Sequence, residues 1–141
     1  MAGNRTLTII KPDAFNSGKS GLILAHLEKA GFKIIASRVT RLTEGQAAAF
    51  YAVHKERPFF APLTRFMTSG KCIPMVLERA DAVATLRKVI GATDPAEAEP
   101  GTVRKLYAES KERNAIHASD SDENADRESR FFFPETDLIG A

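Results

Sequence analysis

A histidine with small neighbours and nearby acids is the part of this sequence best suited to covalent chemistry. His117 stands in the segment Asn-Ala-Ile-His-Ala-Ser-Asp at 114–120, and acidic residues follow it as far as Glu128. Small neighbours leave room for a bulky reactant at the imidazole. A carboxylate that holds one ring nitrogen leaves the other free to attack. The segment therefore predicts a nucleophilic histidine.

Three basic residues suit the binding of phosphate groups. Lys11 follows the first strand-like segment, and Arg87 and Arg104 lie farther along the chain. Ammonium and guanidinium groups form charge-assisted hydrogen bonds with phosphate oxygens. The unperturbed imidazole pKa is about 6.5, so a neutral, nucleophilic His117 is well populated near neutral pH.

Composition predicts one globular domain. The chain has 141 residues, enough for one core and few for two domains. An apolar fraction of 43% and a charged fraction of 27% are typical of globular proteins. A net charge of +2 is too small to attract nucleic acid or a membrane by bulk charge. We expect a single domain over 1–141, no membrane partner, and a primary ligand other than nucleic acid.

The cysteine content and the N-terminal residues indicate a compartment. Cys72 is the only cysteine, which excludes an internal disulfide and a multi-cysteine metal site and suits a reducing environment. The first residues carry no apolar signal region, and no apolar run reaches membrane-spanning length. We therefore expect a cytoplasmic protein.

Apolar patterns predict a mixed fold. They indicate strands over 7–10, 32–42 and 72–78, and helices over 22–30, 43–54, 58–67, 80–90, 102–110 and 120–130. Pro12 ends the first strand because it lacks an amide proton, and the long stretch 91–101 is typical of a functional loop. The last strand is either 131–133 or the region before His117. This order favours an α/β or α+β sandwich with helices packed on a small sheet.

Two motif-like segments are rejected. The residues at 18–20 resemble the end of a P-loop, but that motif needs a glycine where Asp13 stands. The residues at 120–124 have the spacing of a calcium-binding EF-hand loop. Ala125 and Phe131 replace the glycine and the bidentate glutamate that such a loop requires.

Short motifs are spread in order along nearly the whole chain. They lie at 8–14, 30–34, 50–51, 58–60, 67–70, 91–95, 100–104 and 114–121. Together they closely resemble the nucleoside diphosphate kinases, and their number makes the match highly specific. The resemblance implies a ferredoxin-like α+β sandwich, in which helices cover a small antiparallel sheet of βαββαβ order. It also implies Mg²⁺-dependent transfer of a γ-phosphoryl group from a nucleoside triphosphate to a nucleoside diphosphate.

The resemblance places the phosphorylated histidine of a ping-pong reaction at His117, with Nδ1 as the attacking atom. In the family pattern Glu128 holds the other ring nitrogen, and Ser119 steadies that carboxylate. Tyr51 would hydrogen-bond near Lys11 and the histidine. Without the resemblance, a solvated helix face would be the better interpretation of Glu128. A buried core aromatic would describe Tyr51 nearly as well.

The resemblance also assigns phosphate-binding residues. Lys11 and Arg104 would contact the transferring phosphoryl group, and Arg87 with Thr93 would bind the remaining phosphates. Asn114 would reach the ribose hydroxyls and the phosphohistidine end of the nucleotide. Several cations are expected because phosphoryl transfer depends on positioning and charge neutralisation.

The base is expected to stack on Phe59, with Leu63 one helical turn farther along, although both would also suit a core. Stacking accepts any π-face, so broad base tolerance follows. Mg²⁺ would bridge the nucleotide phosphates rather than occupy a protein cage. ATP is the expected donor. Because the family forms tetramers and hexamers, often from a common dimer, we expect a homo-oligomer.

Two positions depart from the family pattern. The family commonly has glycine at the position of Ala118 and asparagine at that of Asp94. If position 118 requires a positive φ, alanine would cost on the order of 1 kcal/mol and narrow access to His117. Asp94 adds a negative charge near the expected phosphate site, which is harmless if the side chain points outward.

Two other functions fit the sequence less well. A non-catalytic, regulatory nucleotide-binding module of the same fold would have lost catalytic groups, yet all of the expected ones are present. A nucleic-acid-binding sheet would carry a basic, aromatic-rich motif, which the sequence lacks.

Overall fold

The computed structural model describes residues 3–139 and has a four-stranded antiparallel sheet at its centre. The strands are β1 (Arg5–Ile10), β2 (Lys33–Ser37), β3 (Ile73–Glu78) and β4 (Ile116–Ala118). Their order across the sheet is β2-β3-β1-β4, and each neighbouring pair runs antiparallel. The central strands β1 and β3 are buried over almost their full length.

Helices fill the connections between the strands, and two more follow β4. They are α1 (Pro12–Asn16), α2 (Ser20–Lys29), α3 (Glu44–Phe50), α4 (Phe60–Met67), α5 (Ala82–Ile90), α6 (Val103–Tyr107), α7 (Asp122–Phe132) and α8 (Glu135–Leu138). A 3₁₀ turn at Ala52–His54 lies between α3 and α4. Within the described range, no helix has the length and apolar character needed to cross a membrane.

Alternation along β1 divides the core into two layers. Leu7 and Ile9 belong to the layer formed with α3, α4 and α7, which includes Phe50 and Phe132. Ile10 belongs to the opposite layer, formed with α2 and α5. Successive side chains of a strand point to opposite faces of a sheet, so one short strand supports both layers. This arrangement confirms the expected α+β sandwich with an antiparallel sheet.

Two helix predictions need correction. The patterns predict no helix after β1, but α1 begins there at Pro12. Proline suits the first helical position, because its missing N–H is not needed there and its φ is already helical. The helix predicted over 43–54 ends at Phe50, where Tyr51 caps α3 and the chain tightens into the 3₁₀ turn.

The strand predictions also need correction. The predicted strand 32–42 is regular only over Lys33–Ser37, with a register shift after Ile34, and beyond it Thr40 forms an isolated antiparallel bridge with Cys72. The last strand is β4, which contains His117 at its centre. The alternative at 131–133 is wrong, because two of those residues form the end of α7 and Phe133 caps it.

A substitution in β3 tests the layered core. Leu77→Ala should destabilise the fold, because Leu77 is fully buried against the layer formed by α2 and α5. Loss of a buried leucine side chain leaves a cavity and costs about 2–5 kcal/mol of unfolding free energy. Guanidinium unfolding followed by circular dichroism measures this loss.

Leu22→Ala is the matched control, because Leu22 is 54% exposed on α2. It should change the unfolding free energy by less than about 0.5 kcal/mol. Equal unfolding midpoints for the two variants would contradict the burial of Leu77.

Candidate active site

Strand β4 places His117 against an aromatic wall. Its backbone is paired with Ile9 of β1, so both side chains lie on the same face of the sheet. The imidazole makes T-shaped contacts with Phe50 and Tyr51, at centroid distances of 5.3 and 6.0 Å. Thr8 donates from Oγ1 to the carbonyl of His117 at 2.6 Å. These contacts fix both the backbone and the ring of the histidine.

A carboxylate and a hydroxyl orient the imidazole. Nε2 of His117 lies 2.7 Å from Oε1 of Glu128, and Ser119 donates from Oγ to the same oxygen at 2.8 Å. Nδ1 makes no hydrogen bond to the part of the chain that the structure describes. The carboxylate favours the tautomer with its proton on Nε2, so the lone pair lies on Nδ1.

The register of α7 brings Glu128 to the histidine. Ser121, and not the predicted Asp120, caps the helix by accepting a hydrogen bond from the N–H of Asn124. Glu128 then lies in a buried stripe at helical spacing, between Ala125 and Phe132. The carboxylate therefore faces the sheet rather than water, which excludes the solvated helix face as its setting.

Burial lowers the pKa of His117 below its ordinary value. The hydrogen bond to Glu128 and the charge of Glu128 oppose this shift, while Lys11 and Arg104 add to it. The imidazole is therefore neutral at neutral pH, which is the form that can act as a nucleophile.

Lys11 and Asn114 form a buried pair near the histidine. Nζ of Lys11 donates to Oδ1 of Asn114 at 2.9 Å, and Nδ2 of Asn114 donates to the carbonyl of Thr93 at 3.3 Å. Burial and, to a lesser degree, Arg104 lower the pKa of Lys11 to about 8, and Asp13 opposes the shift. Lys11 is thus a desolvated cation that an anionic ligand would stabilise.

Arg104 on α6 is buried and bonded to the backbone on two sides. Nη1 donates to the carbonyl of Gly91 at 3.0 Å, and Nη2 donates to the carbonyl of Ile116 at 2.7 Å. Within residues 3–139, its Nε has no hydrogen-bond partner. Burial, with the charge of Arg87, lowers the pKa of Arg104 to about 10. The guanidinium therefore holds β4 through its hydrogen bond to Ile116, and its Nε–H remains available as a buried donor.

Arg87 lies on the exposed side of α5, closer to solvent than Arg104. Its Nη1 is 3.5 Å from the carbonyl of Ala118, which is a long contact. Its charge contributes to the lowered pKa of Asp120, where the hydrogen bond from Asn124 is the main cause. Arg87 is accordingly a long, weakly held side chain at the open edge of the cationic cluster.

A large cavity opens beside Lys11 and Asn114. Its volume is about 980 Å³, and its lining includes Phe59 and Leu63. Phe59 is 47% exposed, and its ring lies 5.2 Å from that of His54 between centroids. An exposed aromatic ring next to an aliphatic side chain suits the stacking of a planar ligand.

A second cavity of about 410 Å³ is lined by Arg87, Arg104 and Thr93, and Thr93 lines both cavities. His117 lines neither of them. Lys11 from the first cavity and Arg104 from the second nevertheless both lie near enough to lower the pKa of His117.

The ring of Tyr51 is buried beside His117, and its hydroxyl makes no hydrogen bond to the described residues. The hydrogen bond expected near Lys11 and the histidine is therefore not formed within residues 3–139. Burial is the main cause that raises the pKa of Tyr51, with Glu128 adding to it. The hydroxyl keeps its proton and remains an available donor.

The side chains around the histidine do not form a metal cage. Residues 3–139 contain no group of three or more His, Cys, Asp or Glu side chains that could hold a metal ion. The buried charged groups around His117 include Lys11 and Arg104, which repel cations.

The two departures from the family pattern cause no conflict. Ala118 of β4 pairs with Thr8 and does not adopt a positive φ, so the condition under which alanine would be strained at position 118 is not met. Ala115 adopts a φ of 74° instead. Asp94 accepts a hydrogen bond from the N–H of Ala96 at 2.9 Å, so its carboxylate stabilises its own turn.

Sequence reasoning missed two residues that shape the site. Asp13 is buried, and its Oδ2 accepts a hydrogen bond from the N–H of Ala115 at 3.0 Å. Phe50 was expected only on a helix face, but its ring packs against that of His117. The one local signal for Asp13 is an acid placed directly after Lys11 and Pro12 at the end of an apolar strand.

Comparison with known proteins identifies the family. A family model described as nucleoside diphosphate kinase matches residues 4–138. A nucleoside diphosphate kinase from Chlorobaculum tepidum is 56% identical over 135 residues, which are 96% of each chain. The structure of the Aquifex aeolicus nucleoside diphosphate kinase superposes with a TM-score of 0.93 at 44% identity, covering 95% of this chain and 97% of that one.

A more distant structure agrees with these matches. The nucleoside diphosphate kinase of Halobacterium salinarum, solved in complex with CDP, has a TM-score of 0.90 at 38% identity and covers 96% of this chain and 91% of its own. The chain belongs to the nucleoside diphosphate kinase family. It is a phosphotransferase that transfers the γ-phosphoryl group of a nucleoside triphosphate to a nucleoside diphosphate, and it uses a divalent cation.

The contact between His117 and Glu128 can be tested by titration. Glu128→Gln should lower the pKa of His117 further, because it removes the negative charge that favours the imidazolium. Histidine ring signals followed by NMR against pH measure the shift. Glu123→Gln on the exposed face of α7 is the matched control and should leave this pKa unchanged. Identical His117 titrations in the two variants would contradict the contact.

Proposed function

We propose that phosphoryl transfer proceeds in two half-reactions through a phosphohistidine at His117. The observation that carries this proposal is the contact of Nε2 with Glu128, which leaves the Nδ1 lone pair free. A donor triphosphate such as ATP gives its γ-phosphoryl group to Nδ1 and leaves as a diphosphate. An acceptor diphosphate then attacks the phosphohistidine and takes the group.

The roles of Glu128 and Ser119 follow from the charge changes on the ring. The Nδ1–phosphorus bond forms as the bond from the γ-phosphorus to the bridging oxygen breaks. The imidazole keeps its proton on Nε2 and becomes cationic. The Glu128 carboxylate, 2.7 Å from Nε2, stabilises that charge, and Ser119 holds the carboxylate in place. Transfer to the acceptor returns the ring to its neutral state without an external proton.

The cations of the two cavities bind the phosphates in this proposal. Lys11 and Arg104 lie nearest the histidine and contact the transferring group, Arg104 through its free Nε donor. Arg87 and Thr93 line the second cavity and bind the remaining phosphates. The protonated hydroxyl of Tyr51, which lacks a partner among the described residues, donates toward the phosphohistidine. Charge neutralisation of this kind supplies most of the catalysis in phosphoryl transfer.

The larger cavity holds the nucleoside. The base stacks on Phe59 beside Leu63, and Asn114 reaches the ribose hydroxyls. Base tolerance follows, because stacking does not read the edges of the base. The halophilic relative in complex with CDP, a pyrimidine nucleotide, is consistent with a site that does not depend on purines.

Mg²⁺ is the divalent cation in this proposal, held by the nucleotide phosphates rather than by a protein cage. When bound, it neutralises phosphate charge and helps to align the β- and γ-phosphates. Lys11 and Arg104 complement that charge from the protein side. The absence of a three-ligand acidic cluster within residues 3–139 supports this division of roles.

We also propose that residues 1–141 form one domain that assembles as a homo-oligomer in the cytoplasm, as a tetramer or hexamer built from dimers. The continuous four-stranded sheet supports one domain. The edge position of β2 and the exposed apolar side chains of Val39, Val53 and Ile139 support assembly. The buried, free Cys72 suits a reducing compartment. Light scattering would establish the assembly.

Labelling tests the covalent intermediate. Incubation with γ-labelled ATP and Mg²⁺ should give acid-labile, alkali-stable label on His117, because a phosphoramidate forms at Nδ1. Added nucleoside diphosphate should discharge it. His117→Ala should remain unlabelled, and the control His26→Ala should be labelled like the parent. Equal labelling of the His117→Ala variant, or exchange with no trapped phosphohistidine, would contradict the proposal.

The pH dependence tests the role of Lys11. The kcat/KM for a donor triphosphate, which reacts with the unphosphorylated enzyme, should fall as pH rises through about 8, because only the protonated amine of Lys11 pairs with phosphate. On the acid side it should fall only below the ordinary histidine pKa of 6.5, since burial lowers the pKa of His117.

Two conservative variants separate Lys11 from other lysines in this measurement. Lys11→Arg should lose the alkaline decline, at a lower maximal activity, because a guanidinium stays charged through this range. Lys105→Arg, at an exposed position on α6, should retain the decline. An unaltered alkaline decline in the Lys11→Arg variant would exclude Lys11 as its cause.

A further inference from the structure

The turn that leads into β4 has an unusual backbone conformation. Ala115 has a φ of 74°, and Asp81 is the other described non-glycine residue with a positive φ. The N–H of Ile116 donates to the carbonyl of Asn114 across Ala115 at 2.9 Å. A hydrogen bond from residue i+2 to residue i around a φ near +75° defines the rare, strained type of γ-turn. Ala115 is fully buried, so this turn is part of the interior.

The segment after β1 holds this turn at three points. The N–H of Lys11 donates to the carbonyl of Ala115 at 2.9 Å, and Nζ of Lys11 donates to Asn114. Oδ2 of Asp13 accepts a hydrogen bond from the N–H of Ala115 at 3.0 Å, across a separation of 102 residues. Both polar backbone groups of Ala115 are therefore bonded to this one segment.

We propose that Asp13 is a positioning residue of the reaction, because its carboxylate holds Ala115 in the γ-turn that presents Asn114 and His117 to the nucleotide. The turn lies between these two residues, so a change in its dihedral angles would reorient both. The inference rests on the proposed roles of Asn114 and His117. Asp13 lines neither of the two cavities, so it acts through the turn and not by contact with substrate.

The negative charge of Asp13 has a second effect, which is to favour the protonated form of Lys11. The polar and charged groups around Lys11 are Asp13 on α1, Arg104 on α6, and Asn114 with His117 at β4. Of these, Asp13 favours the ammonium form of Lys11 and Arg104 opposes it. Oδ1 of Asp13 is buried and has no hydrogen-bond partner within residues 3–139, so the bond from Ala115 to Oδ2 is the one hydrogen bond there that offsets the charge of the carboxylate.

A double-mutant cycle tests the positioning role. Asp13→Ala removes the hydrogen-bond acceptor of the Ala115 N–H and should lower the kcat/KM for a donor triphosphate by about 10- to 100-fold, because a small misplacement of reacting groups is costly. Glycine adopts a positive φ without steric strain, so in the Ala115→Gly variant the turn no longer depends on the hydrogen bond to Asp13. In the Ala115→Gly background, the loss caused by Asp13→Ala should shrink by about fivefold or more. A loss of the same size in both backgrounds would overturn the proposal.

Asp13→Asn separates geometry from charge. Its side-chain oxygen can still accept from the N–H of Ala115, so near neutral pH its kcat/KM should stay within about threefold of the parent value. Its alkaline decline should move to lower pH, because the carboxylate no longer favours protonated Lys11. If Asp13→Asn loses as much activity as Asp13→Ala at every pH, the acceptor role is wrong. Should Asp13→Ala fail to fold, as judged by circular dichroism, this comparison of Asp13→Asn with the parent decides, and a loss of kcat/KM beyond about threefold near neutral pH overturns the proposal.

Two controls keep this test distinct from that of the proposed function. Asp137→Ala removes an exposed carboxylate on α8 and should match the parent in kcat/KM and in its pH profile. Labelling of His117 in the unmodified protein tests the phosphohistidine independently of Asp13. If His117 is labelled but Asp13→Ala loses as much activity in the Ala115→Gly background as in the parent, only the proposed role of Asp13 fails. If the unmodified protein is not labelled, the proposed function fails.

Discussion

The hydrogen bond between Nε2 of His117 and the Glu128 carboxylate sets the chemistry of the whole site. It selects the tautomer, leaves Nδ1 free, and places a negative charge beside a ring that burial keeps neutral. The bond joins β4 to α7, so it depends on how the helix is set against the sheet. An α-helix has 3.6 residues per turn, so a shift of one residue along α7 would rotate the Glu128 side chain away from the histidine. The buried stripe that runs from Ala125 to Phe132 fixes that register.

The cations near the histidine are placed where the fold alone gains little from them. Burial lowers the pKa of both Lys11 and Arg104, which means that the interior disfavours their charges. Their partners are the neutral oxygens of Asn114 and of backbone carbonyls, with Asp13 as the nearby carboxylate. Nucleotide phosphates would supply the missing negative charge. Burial of these two cations thus lowers the stability of the fold, and the negative charge of bound substrate would compensate for it.

The sequence predicts well the features that local patterns encode. The helical and alternating apolar patterns locate β1, β3 and α5, and the segment around His117 predicts the reacting group of the proposed mechanism. The short helices α1 and α8 escape this reasoning, and the position of β4 is left between two alternatives, because so few residues cannot establish a period. The contact between Asp13 and Ala115 escapes it for another reason. It joins residues 102 positions apart, and tertiary structure alone brings them together.

The location of backbone strain shows why a family pattern does not by itself explain a site. Position 118, where the family commonly has glycine, is extended and pairs with Thr8, so its backbone does not require glycine. The strain lies three residues earlier, at Ala115, where the chain must turn before β4 begins. A φ of +74° at an alanine costs about 1–2 kcal/mol and persists only where the surroundings over-determine it. The hydrogen bonds from Lys11 and to Asp13 supply that constraint. The segment that follows β1 therefore fixes the turn at Ala115, and the turn sets the direction in which His117 enters the site.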